Sequence, residues 1–324
     1  MGKACVGVDL GGTFIKFGIL DADRQPGEVF QLPTPQGKGG DAVVAQMVAG
    51  AKQAIEKASL AKSDVVGVGI GCPGPLSMAT GIVYETPNIP GLKDFPMRDR
   101  VAEGVGLPAA LENDANAAAY GEFLCGAGKE CTNMVLLTLG TGLGGGIVVD
   151  GKVLRGSHEI GAELGHMMIV PGGRLCGCGQ LGCIEQYCSA TFMSRAAQKT
   201  LEQTDRPSSL RGVLKAQGEL NSKAINEARR AGDAFAAEVW DEMAQHLARG
   251  CVSYARILDP DRIVLAGGMT AAGDDLLGPV SKYYREFHWK LTEPRTEIVL
   301  ATLGNDAGVI GAAGVAWQEC GAKA

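Results

Sequence analysis

The chain has 324 residues, of which 46% are apolar, and its net charge is −6. This composition supports a buried core in one large domain or two smaller ones, and the absence of a Lys/Arg block argues against nucleic-acid binding. No apolar run approaches the ~20 residues that span a bilayer, and the first residues lack the regions of a signal peptide. We therefore expect a cytoplasmic protein with no membrane partner.

A glycine-containing hairpin opens the chain and is repeated about 130 residues later. Two apolar runs flank Gly11-Gly12-Thr13 within residues 6–20, and two similar runs flank Gly140-Thr141-Gly142 within residues 135–149. Glycine turns between apolar runs predict β-hairpins. The repetition predicts two similar halves that face one cleft.

The other predicted elements alternate between helices and strands. Residues 41–60 have apolar side chains at a helical period, and residues 65–71 follow as a strand. After the second hairpin we predict a helix capped by Ser189, a long helix over 233–258, strands over 261–266 and 296–302, and a closing helix over 306–319. This alternation predicts an α/β fold with covered, mainly parallel or mixed sheets.

Both hairpin turns are candidate phosphate sites, because glycine lets backbone N–H groups approach an anion without a Cβ in the way. In the first turn the Thr13 hydroxyl adds a donor, and Asp9 could hold the water shell of Mg²⁺. An ordinary hairpin turn could have the same sequence. The second copy favours a functional interpretation.

Two further glycine patterns need separate interpretations. Gly140, Gly142 and Gly145 match a dinucleotide fingerprint, but a strand follows them where that fingerprint requires a helix, so we do not predict a dinucleotide site. Gly267-Gly268 ends a predicted strand and could lie beneath a nucleotide base or ribose, although such a pair is also common in plain turns.

The pair Asn113-Asp114 precedes a helical pattern. An aspartate at a helix start can accept the proton of a sugar hydroxyl as that oxygen attacks the γ-phosphate, while Asn113 bonds neighbouring hydroxyls. Aspartate and asparagine are also favoured helix N-caps, so a structural role stays open at this point.

A cluster of metal-ligand residues lies within 18 positions: His166, Cys176, Cys178 and Cys183. The residue types and spacing match the Cys₃His tetrahedron of a closed structural zinc site, with no position left for a catalytic water. Reduced thiols without metal and a disulfide are the alternatives. The other seven cysteines are scattered along the chain.

Two glutamates flank the cluster. Glu163 lies three residues before His166, and Glu185 lies two after Cys183, so folding of the loop onto metal would bring both carboxylates to one edge. Fixed carboxylates can accept hydrogen bonds from vicinal sugar hydroxyls. Solvated surface glutamates are the alternative interpretation.

Several motifs together resemble the signature set of the ROK family (repressors, open reading frames, kinases), in its glucokinase-like branch. They cover residues 5 to about 317 and are Asp9-Leu-Gly-Gly-Thr13, Gly71-Cys-Pro-Gly74-Pro, Asn88-Ile-Pro-Gly, Glu112-Asn-Asp-Ala-Asn116, Gly140-Thr-Gly-Leu-Gly-Gly-Gly146, Glu163-Leu-Gly-His166 and Cys176-Gly-Cys-Gly-Gln-Leu-Gly-Cys-Ile-Glu185.

The resemblance implies an actin-like, ribonuclease H-like fold of two lobes, with ATP and a hexose in the interdomain cleft. We expect a smaller lobe formed by 1–116 and 306–324 and a larger lobe formed by 117–305, which carries the zinc loop. The resemblance implies a role for each of these residues: Asp114 as general base; Gly74, Asn88, Asn113, Asp114, Glu163, His166 and Glu185 for the sugar; Asp9, Gly11, Gly12, Thr13, Thr141, Gly142, Gly267 and Gly268 for ATP with Mg²⁺. His166 would bind zinc through one ring nitrogen and a sugar hydroxyl through the other.

The predicted activity is phosphorylation of a hexose at its 6-hydroxyl, with glucose as the first candidate and a place in glycolysis. The Ala162 to His166 segment is also similar to a form found in some N-acetylmannosamine kinases, so kinases of that sugar or of another hexose are the alternative. A sugar-sensing repressor of the family carries a helix-turn-helix ahead of its first strand, and only four residues precede Cys5 here, which disfavours that class. An actin-like ATPase that needs no sugar is a third possibility. The family also implies a homodimer or larger homo-oligomer.

Overall fold

The computed structural model describes residues 2–86, 89 and 91–321. The strands are β1 (Ala4–Leu10), β2 (Phe14–Asp21), β3 (Phe30–Pro33), β4 (Val65–Cys72), β5 (Leu76–Ser77), β6 (Ile82–Val83), β7 (Ala109–Asn113), β8 (Met134–Leu139), β9 (Leu143–Val149), β10 (Lys152–Val153), β11 (Arg262–Ala266) and β12 (Glu297–Leu300). The α-helices are α1 (Gly39–Lys57), α2 (Met97–Val105), α3 (Asp114–Cys125), α4 (Glu185–Cys188), α5 (Ala190–Gln203), α6 (Leu210–Gln217), α7 (Ser222–Arg230), α8 (Ala234–Leu258), α9 (Asp274–Phe287) and α10 (Ala307–Gly321).

The chain forms two compact units. The first contains the described residues of Met1–Cys131, Gly146–Ala162 and Thr302–Ala324, and the second contains Thr132–Gly145 and Glu163–Ala301. The sequence predicted two lobes with a boundary at residue 116, and that boundary stays a prediction. In the structure the whole of α3 belongs to the first unit.

The first unit has a five-stranded sheet in the order β3-β2-β1-β4-β7. Strands β1 to β3 form an antiparallel meander, and β4 and β7 run parallel to β1. Side chains alternate between the faces of a strand, so Val6 and Val8 enter an apolar core with α1 and α2, whereas Gly7 faces α10.

Helix α10 approaches its neighbours too closely for side chains at the contact points. A Cβ added to Gly69 of β4 would lie 1.7 Å from the Ala312 oxygen, and one added to Gly311 would lie 1.6 Å from the Ala117 oxygen in α3. This packing explains why the sequence of α10 is rich in glycine and alanine.

The second unit is built on a sheet in the order β10-β9-β8-β11-β12, in which β11 runs parallel to β8 and β12. The division between units falls within β9, after Gly145. Both predicted hairpins are present. The two sheets share one strand order: three consecutive strands in reverse order, β3-β2-β1 or β10-β9-β8, are followed by two later strands, β4-β7 or β11-β12. The predicted repeat and α/β class are therefore confirmed.

The helical predictions are confirmed at their key positions. Ser189 caps α5 by accepting a hydrogen bond from the Phe192 N–H, and Asp233 caps α8 by accepting one from the Ala236 N–H. None of the helices in the described part of the chain has both the length and the apolar character needed to cross a lipid bilayer.

Candidate active site

Three predicted site residues of the first unit lie at one edge of its sheet. Asp9 pairs in register with Gly71 of β4, and the next residue of β4, Cys72, pairs with Asn113 of β7. Asp114 follows as the first residue of α3. Because the carboxyl ends of parallel strands share an edge, Asp9, Asn113 and Asp114 come together there.

Asn113 is the residue that caps α3. Its side-chain oxygen accepts hydrogen bonds from the N–H groups of Ala115 and Asn116. The capping role left open by the sequence therefore falls to Asn113. Asp114 Oδ1 accepts a bond from the Ala115 N–H at 2.8 Å, and its side chain remains accessible. The surrounding protein desolvates this carboxylate, which raises its pKa.

Asp9 is a half-buried carboxylate beside the first glycine turn. Burial raises its pKa from 3.8 to about 6, an effect that the positive charge of Lys16 opposes and the negative charge of Asp114 reinforces. A nearby cation would stabilise the charged form of this half-buried carboxylate, which fits the predicted Mg²⁺ with ATP.

The first glycine turn is held by a bond within the turn and by two bonds from Thr34, the residue after β3. Gly11 N–H closes the turn onto the Phe14 oxygen at 3.0 Å, so it is not directed at a ligand. Thr34 Oγ1 donates to the Gly11 oxygen at 2.7 Å, and Thr34 N–H donates to the Thr13 oxygen at 2.9 Å. The Thr13 side chain is exposed, as a phosphate donor must be.

Two of the predicted sugar residues have different outcomes. A Cβ placed on Gly74 would lie 3.6 Å from Asn113 Nδ2, so the structure brings Gly74 to the same edge. Asn88 lies outside the described residues, and its predicted role stays a prediction.

Glu112 is a site residue that the sequence reasoning missed. It is fully buried, and its Oε1 accepts bonds from Asn113 N–H and Asn116 Nδ2, both at 3.0 Å. Its Oε2 accepts one from Arg155 Nε at 2.8 Å. Glu112 thus holds the turn that presents Asp114. The available signal was a charged residue at the end of an otherwise apolar strand.

The glycine turns of the second unit lie side by side at the carboxyl ends of parallel β8 and β11. Gly267 has a φ of +88°, and a Cβ on it would lie 2.6 Å from the Leu139 oxygen. Gly140 N–H bonds the Gly142 oxygen at 3.0 Å, and Thr141 is exposed at the tip. The predicted ATP residues of this unit, Thr141, Gly142, Gly267 and Gly268, are therefore neighbours.

A cavity of about 520 Å³ opens beside the second hairpin. It is lined by Ala190, Ser194 and Gln198 of α5 among others, and Ala190 N–H bonds the Gly140 oxygen at 2.9 Å. Ser194 Oγ is buried and has no hydrogen-bond partner among the described residues. The sequence showed only a capped helix here, because a cavity depends on contacts between distant segments.

The four predicted metal ligands converge. One donor atom from each of His166, Cys176, Cys178 and Cys183 lies within 4.8 Å of all the others. Cys176 Sγ lies 3.6 Å from His166 Nδ1, and the sulfurs of Cys178 and Cys183 are 3.7 Å apart. Ligands 2.3 Å from a tetrahedral ion would be about 3.8 Å apart, so this donor set fits zinc.

Glu185 lies between this cluster and the second hairpin. Its Oε1 is 3.6 Å from Cys176 Sγ, and its Oε2 accepts a hydrogen bond from the Leu143 N–H at 3.0 Å. Glu163 is exposed at the start of the metal loop, and its backbone oxygen accepts the His166 N–H at 3.0 Å. The loop therefore presents both predicted carboxylates.

Comparison with known proteins decides the family. The model of the ROK family matches residues 5–319. The chain belongs to the ROK family. A relative, the glucokinase of Halalkalibacterium halodurans, is 38% identical over 315 residues, which are 97% of this chain and 95% of that protein.

Solved ROK structures match nearly the whole chain as well. A ROK hexokinase from Thermus thermophilus has 34% identity and a TM-score of 0.86, with 98% of both chains covered. A ROK family glucokinase from Streptomyces griseus, in complex with glucose and AMPPNP, has 35% identity and a TM-score of 0.76, with 97% of this chain and 99% of that one covered. These ROK structures confirm the predicted actin-like fold.

Proposed function

We propose that the chain is an ATP-dependent hexose kinase that phosphorylates the 6-hydroxyl of glucose. The glucokinase relative and the glucose- and AMPPNP-bound homologue support this activity. The observation in the chain itself that carries the proposal is the position of Asp114. It follows a strand end, it is not used as the helix cap, and it lies at the same edge as Asp9 and the glycine turn.

The proposed reaction needs one proton acceptor and several donors. Asp114 would accept the proton of the 6-hydroxyl as that oxygen attacks the γ-phosphorus and the bond to the β-phosphate oxygen breaks. Its raised pKa makes the carboxylate a better base than an ordinary aspartate. Asn113 Nδ2, Glu163, Glu185 and the ring of His166 would hold the other hydroxyls, since together they offer donors and acceptors.

Phosphate binding is assigned to the glycine turns and Thr13. Backbone N–H groups and hydroxyls there would hold the charged oxygens, and the candidate residues are Gly12, Thr13, Thr141 and Gly142. Bound Mg²⁺ would offset charge on the β- and γ-phosphates, and Asp9 is the residue suited to its water shell. The cavity beside Gly140 is where we place the adenine base.

The Cys₃His cluster is proposed to hold a structural zinc ion. Its four positions are all supplied by protein atoms, so it stabilises the loop that carries Glu163 and Glu185 and takes no part in proton transfer. The homo-oligomer and the cytoplasmic location expected from the family stay predictions.

A coupled ATP-consumption assay tests the function. Glucose, mannose, fructose and N-acetylmannosamine are compared, with a no-sugar reaction for the ATPase alternative. We expect glucose to give the highest kcat/KM and Asp114→Ala to lower kcat by about 10³-fold while glucose still binds. Asp41→Asn, at an exposed acid of α1, is the control. Near wild-type turnover of Asp114→Ala would refute the assignment, and a higher kcat/KM for another sugar would reassign the substrate.

A further inference from the structure

Glu185 lies two residues after the last metal ligand, Cys183, and its carboxylate contacts the second glycine hairpin. Its two carboxylate oxygens face different partners: Oε1 lies 3.6 Å from Cys176 Sγ, and Oε2 accepts the Leu143 N–H at 3.0 Å. A Cβ placed on Gly142 would lie 2.6 Å from Oε2, so the carboxylate packs against the hairpin backbone itself. A bond from an N–H group to a carboxylate is among the stronger hydrogen bonds of proteins.

The Leu143 peptide is also held from the other end of the metal loop. A Cβ on Gly165 would lie 1.8 Å from the Leu143 oxygen, so the backbone just before His166 packs directly on this residue. After α4, Ala190 N–H bonds the Gly140 oxygen at 2.9 Å. The hairpin is thus contacted by Gly165, which directly precedes the first metal ligand, and by Glu185 and Ala190, which follow the last one.

We infer that Glu185 is a positioning residue through which the metal loop sets the shape of the phosphate-binding hairpin, so that metal loading raises nucleotide affinity. This inference rests on the proposed function, in which the hairpin at 140–142 binds ATP. A loop that loses its metal loses order, and the Leu143 N–H would then lose its fixed acceptor. Glu185 acts in this way on the nucleotide in addition to its proposed contact with the sugar.

The charge of Glu185 should weaken nucleotide binding, whereas its positioning of the hairpin should strengthen it, so the experiment must separate the two effects. A carboxylate near bound phosphates repels them, so its removal could strengthen nucleotide binding. Glu185→Gln removes the charge and keeps an oxygen acceptor for Leu143, whereas Glu185→Ala removes both. If positioning dominates, only the alanine variant binds ATP more weakly. If repulsion dominates, both variants bind ATP more tightly.

Titration with MgATP in the absence of sugar is the first measurement, with zinc content determined for each protein. We expect Glu185→Ala to weaken nucleotide binding about tenfold and Glu185→Gln to stay within about twofold of wild type. Glu163→Gln is the matched control: it changes the other predicted sugar carboxylate of the loop and should leave nucleotide affinity unchanged. Its glucose affinity should fall.

Metal removal is the second measurement. Chelation should weaken MgATP binding by wild type and Glu185→Gln about tenfold, whereas Glu185→Ala should lose little more, because both changes break the same connection. Circular dichroism of the chelated proteins is the check that they remain folded. If Glu185→Ala is recovered without zinc, the chelation series on the other two proteins decides.

The outcomes separate this inference from the function on which it rests. No nucleotide binding by the zinc-loaded wild type would refute the proposed function. Nucleotide binding that is the same in wild type and zinc-loaded Glu185→Ala, that is tighter in both Glu185 variants, or that does not respond to chelation would overturn the role of Glu185.

Discussion

Gly308 leaves the space that the Asp9 carboxylate occupies: a Cβ on Gly308 would lie 2.8 Å from Asp9 Oδ2. Gly308 is the second residue of α10, so the carboxylate lies against the first turn of that helix. The position of a predicted ATP-site carboxylate near the start of the chain thus depends on a glycine near its end.

Gly308→Ala should separate activity from stability. The added methyl group pushes on the end of a short side chain, so Asp9 moves, and we expect kcat/KM for MgATP to fall about tenfold or more. The melting temperature should change little, because alanine favours a helix by about 1 kcal/mol over glycine and this gain offsets the cost of moving Asp9. Gly278→Ala in α9, where an added Cβ meets nothing within 4 Å, is the control and should keep full activity. Full activity of Gly308→Ala would show that Asp9 need not hold its position.

Asp9→Asn should stabilise the protein in a pH-dependent way. The folded-state pKa of Asp9 is raised to about 6, so its ionisation at higher pH opposes folding. Stability associated with this group is full below the ordinary value of 3.8 and is lost as pH rises through about 6. Asp9→Asn does not lose this stability, because asparagine does not ionise.

Urea unfolding at two pH values measures this effect. At pH 8 we expect the free energy of unfolding of Asp9→Asn to exceed that of wild type by about 1–2 kcal/mol, because solvent screens part of the effect at this half-buried side chain. At pH 4 the difference should nearly vanish, since wild-type Asp9 is then largely protonated. A variant less stable than wild type at pH 8 would contradict the raised pKa. In the ATP-consumption assay, the turnover of Asp9→Asn should be lower than that of wild type.

Much of the fold was predictable because its signals are local. The repeated hairpins follow from apolar runs around glycine turns, and the cap Ser189 follows from a side chain that accepts the N–H bond of the residue three positions on. At Asn113-Asp114 both residues are favoured caps, so the sequence could not choose between them. Backbone geometry decides in favour of Asn113, whose φ and ψ are extended.

The parts that escaped prediction depend on contacts between distant segments. Arg155 meets Glu112 across 43 positions, and Gly308 meets Asp9 across most of the chain. Nothing local in the sequence of Glu185 indicates that its carboxylate bonds the Leu143 N–H. Such pairs arise from packing, which a motif does not encode.

Loss of one metal ligand should remove the metal and weaken the second unit. Cys178→Ser replaces an exposed ligand, and we expect zinc content to fall from one ion per chain to near zero, with a melting temperature several degrees lower. Cys125→Ser is the control: its side chain bonds the Arg24 oxygen, a contact that serine can keep, so zinc and stability should be retained. Equal zinc content in both variants, measured by atomic emission, would contradict the Cys₃His site.

Arg155 should stabilise the turn that presents Asp114 through its pairing with Glu112. Arg155→Ala leaves a fully buried carboxylate without its cation, so we expect a loss of about 3 kcal/mol in the free energy of unfolding, together with a lower kcat. Arg155 also bonds Glu319 at 2.7 Å, but the Glu319 side chain is 48% exposed. Glu319→Gln, the control, should therefore cost less than about 1 kcal/mol.

The double variant Glu112→Gln/Arg155→Met separates charge pairing from shape. The neutral amide keeps an oxygen to accept the Asn113 N–H, and methionine fills the space of the arginine stem, so no charge stays buried without a partner. We expect the double variant to regain more than half of the stability that Arg155→Ala loses, and to regain part of the turnover, because the Asn113-Asp114 turn is held again. Urea unfolding and the ATP-consumption assay measure the two effects. If the double variant is less stable than Arg155→Ala, the unpaired charge of Glu112 is not what destabilises the single variant, and Arg155 must act through packing.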